Sequence, residues 1–92
     1  MASSSDLTRT VTIVNELGLH ARPAAKIAQI ARSAAATVWV IRGPEQVDAS
    51  SIMELLTLAG EKGTTLTFTA ADPADRHILD ALVQLVESGF EE

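Results

Sequence analysis

The sequence predicts an α+β fold: an open-faced β-sandwich with three helices on one face of a four-stranded antiparallel sheet. Three observations lead there. Three segments with β-branched or alternating apolar residues carry strand patterns, a fourth short segment follows a tight turn, and three others read as helices from apolar spacing or capping signals. Their order along the chain is β-α-β-β-α-β-α. The strands outnumber the connections that a purely parallel sheet would allow, so the helices are expected to lie together on one face.

Met1–Asp6 is small and polar, and residues 1–7 are expected to be a frayed end ahead of one domain spanning 8–92. Thr8–Val14 alternates, with Val11 and Ile13 on one face and Thr10 and Thr12 on the other, and predicts a half-buried strand. Asn15-Glu16-Leu17-Gly18 breaks it. A helix is expected from about Ala21 to Ser33, with Ile27, Ile30, Ala31 and Ala34 on its apolar stripe. Ala36–Arg42 is apolar on both faces, which predicts an interior strand. The turn Arg42-Gly43-Pro44-Glu45 leads into a short antiparallel strand, Glu45–Asp48.

Ser51-Ile52-Met53-Glu54 has the form of a capping box, a serine cap with a glutamate three residues on. It predicts a short helix over Ile52–Leu58, closing near Ala59-Gly60. Thr64–Ala70 alternates again, with Leu66 and Phe68 opposite Thr65, Thr67 and Thr69. Asp72-Pro73 reads as a helix start, Ile78, Leu82, Leu85 and Val86 as the buried stripe, and Gly89 as the stop.

Composition removes several functional classes. Twelve acidic against seven basic residues give a net charge of −5, with no basic stripe or aromatic platform for nucleic acid. The absence of cysteine excludes disulfides and thiolate metal sites within the chain. No metal or other cofactor is expected, since His20 and His77 lack any ligand spacing. No apolar run approaches the ~18 residues of a membrane span, and the N-terminus lacks the charged and apolar regions of a secretory signal. A cytoplasmic monomer is the expectation.

One stretch breaks local rules. In Gly18-Leu19-His20-Ala21-Arg22-Pro23, Pro23 suits a first helical turn, which puts His20 at the cap. Ser, Thr, Asp and Asn are the usual caps, and the positive end of the helix dipole disfavours a cation such as Arg22. Two residues against preference at one helix start point to function. Free amides at the start attract an anion, and a guanidinium adds forked donors suited to phosphate. The dipole also disfavours a proton on the ring, so an uncharged, nucleophilic imidazole is expected. Together the parts describe a histidine able to accept a phosphoryl group beside the backbone of Ala21 and Arg22.

Gly-Leu-His-Ala-Arg-Pro-Ala (residues 18–24) resembles the active-site signature of the HPr and NPr histidine phosphocarriers of the bacterial phosphoenolpyruvate phosphotransferase system. The likeness continues through Ser51-Ile52-Met53 to the C-terminal helix. It implies an open-faced sandwich and a cytoplasmic carrier with His20 as the covalent site and Arg22 as its electrostatic partner. It also implies transfer to Nδ1 of His20 from phospho-enzyme I and onward to a histidine of an enzyme IIA protein. The same likeness offers Ser51 as a target of a dedicated serine kinase, and Ala21, Ile52, Met53 and Leu56 as docking residues. Glu54, Ser50 and Ala59 depart from common family residues at their positions, whereas Ser88–Glu92 resembles NPr endings. The sugar and nitrogen branches both stay open.

Two rival readings compete with the carrier. One is a regulatory HPr-like module that acts by docking and by Ser51 phosphorylation. His20 counts against a purely regulatory role. The other is a small ferredoxin-like metal chaperone or ligand-binding domain, and the lack of cysteine counts against the chaperone.

Overall fold

The computed structural model describes residues 7–92. β1 (Thr8–Thr12) leads into α1 (Ala21–Ala31), and β2 (Val38–Arg42) turns into β3 (Glu45–Asp48). α2 (Ile52–Thr57), β4 (Thr65–Ala70) and α3 (Arg76–Glu87) complete the order expected from the pattern. The sheet runs β1-β4-β2-β3 with every pair antiparallel. β2 is interior, as its two apolar faces predict, and lies between β4 and β3.

Period-two alternation sorts the sheet into a packed face and an open one. Val11, Val40, Val47, Leu66 and Phe68 are buried beneath the helices. On the open face Thr8, Thr10 and Thr12 pair in register with Thr69, Thr67 and Thr65. The helices contribute Ala24, Ile27, Ala28 and Ala31 from α1, Leu55 from α2, and Ile78, Leu79, Leu82, Leu85 and Val86 from α3. The alanines let α1 approach its neighbours closely, which places its N-terminus firmly at one end of the layer.

Several element ends differ from expectation, each for a reason outside local pattern. α1 stops at Ala31, two residues early, and residues 33–36 form an irregular link. The buried carboxylate of Asp75 explains that link: it accepts from the backbone amides of Ala35 (2.7 Å) and Ala36 (3.0 Å). The same inward turn splits the last helical start. Asp72 caps a 3₁₀ turn over Pro73–Asp75 by accepting from Ala74 N (2.9 Å), and α3 begins only at Arg76.

α2 ends at Thr57, and the left-handed residue after its cap is Ala59 (φ +50°), not Gly60. Gly60 leaves room for a neighbouring side chain. A Cβ there would come within 2.8 Å of Ile13 Cδ1. α3 closes as expected, with Gly89 left-handed (φ +69°). Of the segment expected to be frayed, residues 1–6 lie outside the described residues, while Leu7 packs against the core.

Candidate functional site

The chain reaches the start of α1 through a tightly held loop. Gly18 is left-handed (φ +66°), and a Cβ on it would meet Gly60 O at 2.4 Å, so no other residue fits without displacing the backbone. Leu19 N donates to Gly60 O (2.7 Å) and His20 N to Gly18 O (3.1 Å). Leu19 is buried as the anchor. His20 is then delivered in extended conformation (φ −99°, ψ −170°) as the N-cap residue of α1.

Its side chain makes no capping bond. The carbonyl of His20 receives Ala24 N (3.0 Å), and Pro23 has no N–H, so the amides of Ala21 and Arg22 are the donors left over at this helix end. Arg22 is exposed and has no side-chain hydrogen bond or ion pair among the described residues. The first turn of α1 contains no acidic residue to satisfy the dipole. An anion is what this helix end lacks.

The His20 side chain is about one-third exposed (35%), open to a visiting protein. Its Nε2 lies 2.8 Å from Oε2 of Glu92. The other oxygen of that carboxylate accepts from Asn15 Nδ2 (2.8 Å), which also donates to Gly18 O (2.9 Å). Desolvation opposes ionisation of Glu92. Hydrogen bonds from Asn15 and His20 and the charges of His20 and Lys26 outweigh it, so the carboxyl titrates below the usual carboxylate range. An ionised carboxylate only accepts, so Nε2 of His20 is the donor, and in the neutral ring Nδ1 holds the free lone pair.

Sequence reasoning missed Asn15 and Glu92. Nothing local marks them, since they meet His20 only through tertiary structure. The segment that carries Glu92 is a 3₁₀ turn, Gly89–Glu91, pinned by buried Phe90 and by Lys26 Nζ donating to Phe90 O (2.5 Å).

The candidate docking residues separate. Ala21 and Met53 are exposed, Met53 at 77%; Leu56 is exposed at its margin, and Ile52 is half-buried against the core. Val14 and Leu17, in the loop before His20, are exposed apolar residues that the sequence reading had left out.

Ser51 is the N-cap of α2, its Oγ accepting from Glu54 N (3.2 Å). The capping box is only half formed. Ser51 N donates to Asp48 O (3.1 Å), and the Glu54 carboxylate accepts instead from Asp48 N (3.2 Å). His77 is exposed on α3, with Nδ1 near Ala74 O (3.0 Å). Among the described residues no three His, Asp or Glu side chains gather to hold a metal ion. No helix among them is long and apolar enough to cross a membrane.

An open-faced sandwich that presents a histidine at an unsatisfied helix start is the build of a phosphoryl carrier, and comparison with known proteins agrees. Residues 7–88 match the family model described as the PTS HPr component phosphorylation site. The chain is 42% identical over 86 residues to the phosphocarrier protein HPr of Cupriavidus necator, covering 94% of this chain and 97% of that one. It is 38% identical over 86 residues to the phosphocarrier protein NPr of Shewanella violacea, covering 94% of each. A crystal structure of HPr from Thermoanaerobacter tengcongensis superposes with a TM-score of 0.83 at 37% identity, covering 92% of this chain and 96% of that one. The chain belongs to the HPr family of phosphotransferase-system phosphocarriers.

Proposed function

We propose that the protein accepts a phosphoryl group on Nδ1 of His20 from phospho-enzyme I and passes it to a histidine of an enzyme IIA protein. The observation that carries this reading is the start of α1. A part-exposed imidazole stands at a helix end whose amides at Ala21 and Arg22, and whose guanidinium at Arg22, have no partner among the described residues. These groups suit the three oxygens of a phosphoryl group, which the helix dipole also favours.

In each transfer the lone pair of Nδ1 forms the new N–P bond. The bond from phosphorus to the donor nitrogen breaks, and its electron pair stays with that nitrogen. The charge on the equatorial oxygens falls where Arg22 and the amides can receive it, so stabilisation is electrostatic and the chain's own groups supply it. Because two large partners must reach one ring in turn, the site has to be shallow and the complexes short-lived. In this scheme the exposed Ala21, Met53 and Leu56 offer both partners an apolar docking surface, and the flexible thioether of Met53 suits more than one fit. The protein acts in this scheme as a monomer.

Ser51 serves here as a structural cap. For the regulatory reading, in which a serine kinase phosphorylates Ser51, the setting is unfavourable. The Asp48 carboxylate, held on Ser50, and the Glu54 carboxylate, held on the Asp48 amide, already bring two negative charges to that turn, and a phosphate would be repelled by them.

The test is incubation with phosphoenolpyruvate and enzyme I, read by intact mass. One phosphoryl group on the native chain and none on His20→Ala is the expected result. Equal labelling of His20→Ala would overturn the assignment.

A further inference from the structure

The Nδ1 lone pair is only half of what happens at the ring. An imidazole that already carries a proton on Nε2 becomes a cation when Nδ1 takes a phosphoryl group, because no proton leaves in that step. On the return transfer the same ring must give up that charge. Whatever faces Nε2 therefore acts on the reaction as directly as whatever faces phosphorus. In this structure a carboxylate faces it, 2.8 Å away.

That carboxylate is seated by design of the fold. Oε1 of Glu92 takes the Asn15 amide, and Asn15 is turned so that both its N–H bonds are used, on Glu92 and on Gly18 O. The orientation leaves Asn15 Oδ1 buried without a hydrogen-bond partner among the described residues, a cost the flipped amide would exchange for a clash of acceptors with Glu92 and Gly18. Phe90, buried in a left-handed conformation (φ +60°) that non-glycine residues rarely adopt, anchors the turn behind it. Lys26 ties the Phe90 carbonyl to α1. Three separate restraints thus converge on one carboxylate.

We infer that Glu92 is the charge partner of His20: held by Asn15, it keeps the ring turned with its proton on Nε2 and stabilises the positive charge that the ring gains on phosphorylation. This rests on the phosphocarrier reading above and deepens it. Glu92 is a positioning residue, since it touches neither phosphorus nor the partner's ring. Its action resembles that of any carboxylate that orients an imidazole and stabilises its cation. The other charged groups on the elements around the ring are Arg22 and Lys26 of α1, Glu16 in the preceding loop, already paired with Lys62, and Glu91 beside Glu92. Of these, Arg22 and Lys26 oppose a cationic ring, so the burden of stabilising it falls on Glu92.

The experiment separates this claim from the identity of the donor. His20 is phosphorylated chemically with phosphoramidate in the native chain, Glu92→Gln, Glu92→Ala and Asn15→Leu, and the phosphohistidine ring is titrated by ¹⁵N NMR. Gln keeps an acceptor for Nε2–H but loses the charge. The expected result is a ring midpoint lowered by about one pH unit in Glu92→Gln and at least as far in Glu92→Ala. A smaller drop is expected in Asn15→Leu, where the carboxylate is unseated but present. In transfer from enzyme I, Glu92→Gln is expected to lower kcat about three- to tenfold with little change in KM, as befits a group that acts on the charged ring. Unchanged midpoints in both Glu92 variants, with backbone spectra like the native chain's, would overturn the inference. Failure of the native chain to take label from enzyme I, with the midpoint shift intact, would instead count against the proposed donor alone.

Discussion

Two helix starts, α1 and α2, follow opposite rules within one small domain. α2 is finished locally: Ser51 caps it, Glu54 sits in its first turn, and Arg42 donates to the carbonyl of Leu58 (3.0 Å) just past its last turn. Each of these satisfies a backbone group or the dipole. α1 is left unfinished: its cap residue is a histidine that caps nothing, its first turn holds Arg22 and no acid, and the amides of Ala21 and Arg22 are left over. A helix end completed by its own sequence is structural, whereas one that repels its own residues and waits for an anion is a binding site.

Substitutions can break this contrast or sharpen it. The largest effect is expected from His20→Ser, which gives α1 an ordinary neutral cap without a second carboxylate beside Glu92. Phosphoryl acceptance is abolished while stability rises by about 0.5–1 kcal/mol, read by intact mass and by urea denaturation on the same sample. A fall in stability would show that His20 is structural after all. Arg22→Ala is expected to slow transfer from enzyme I by about 10- to 100-fold, given the worth of one charged donor at a phosphoryl group. Its stability should stay within about 0.5 kcal/mol of native, because the side chain is exposed and makes no hydrogen bond or ion pair among the described residues.

The reverse pattern belongs to α2. Ser51→Ala should cost about 1 kcal/mol of stability and leave His20 able to take label. At the other end of α2, Ala59→Gly should gain about 1 kcal/mol, since Ala59 is left-handed (φ +50°) where glycine carries no penalty; thermal denaturation decides it. The smallest effect is a pH dependence. Glu92 titrates lower in the folded chain than in the unfolded one, so it contributes stability above its unfolded pKa, and that contribution is lost as pH falls through its folded value. Glu92→Gln should therefore flatten part of the acid limb of stability against pH.

How much of this was legible beforehand follows from how far apart the interacting residues lie. The elements were legible, because alternation in Thr65–Ala70 and the stripe Ile78, Leu82, Leu85 and Val86 are written within a few residues. The site's centre was legible too, since His20, Arg22 and Pro23 contradict or obey helix-start rules within one turn. Asp75 was not: a carboxylate beside Pro73 reads as a helix residue until the 33–36 link arrives to use it. Nor were Val14 and Leu17 marked as exposed, since apolar residues next to a strand read as core.

The sequence by itself determined the α+β order, the antiparallel sheet and the placing of a histidine at the head of α1. Local periodicity, capping and proline geometry act over a handful of residues and need no partner from elsewhere. Only the tertiary structure decided what stands behind that histidine. Glu92 lies 72 positions away from His20, and the two meet only once α3 has packed and Phe90 has gone into the core. A hydrogen bond between side chains so distant depends on the packing of the whole chain, which no local pattern encodes.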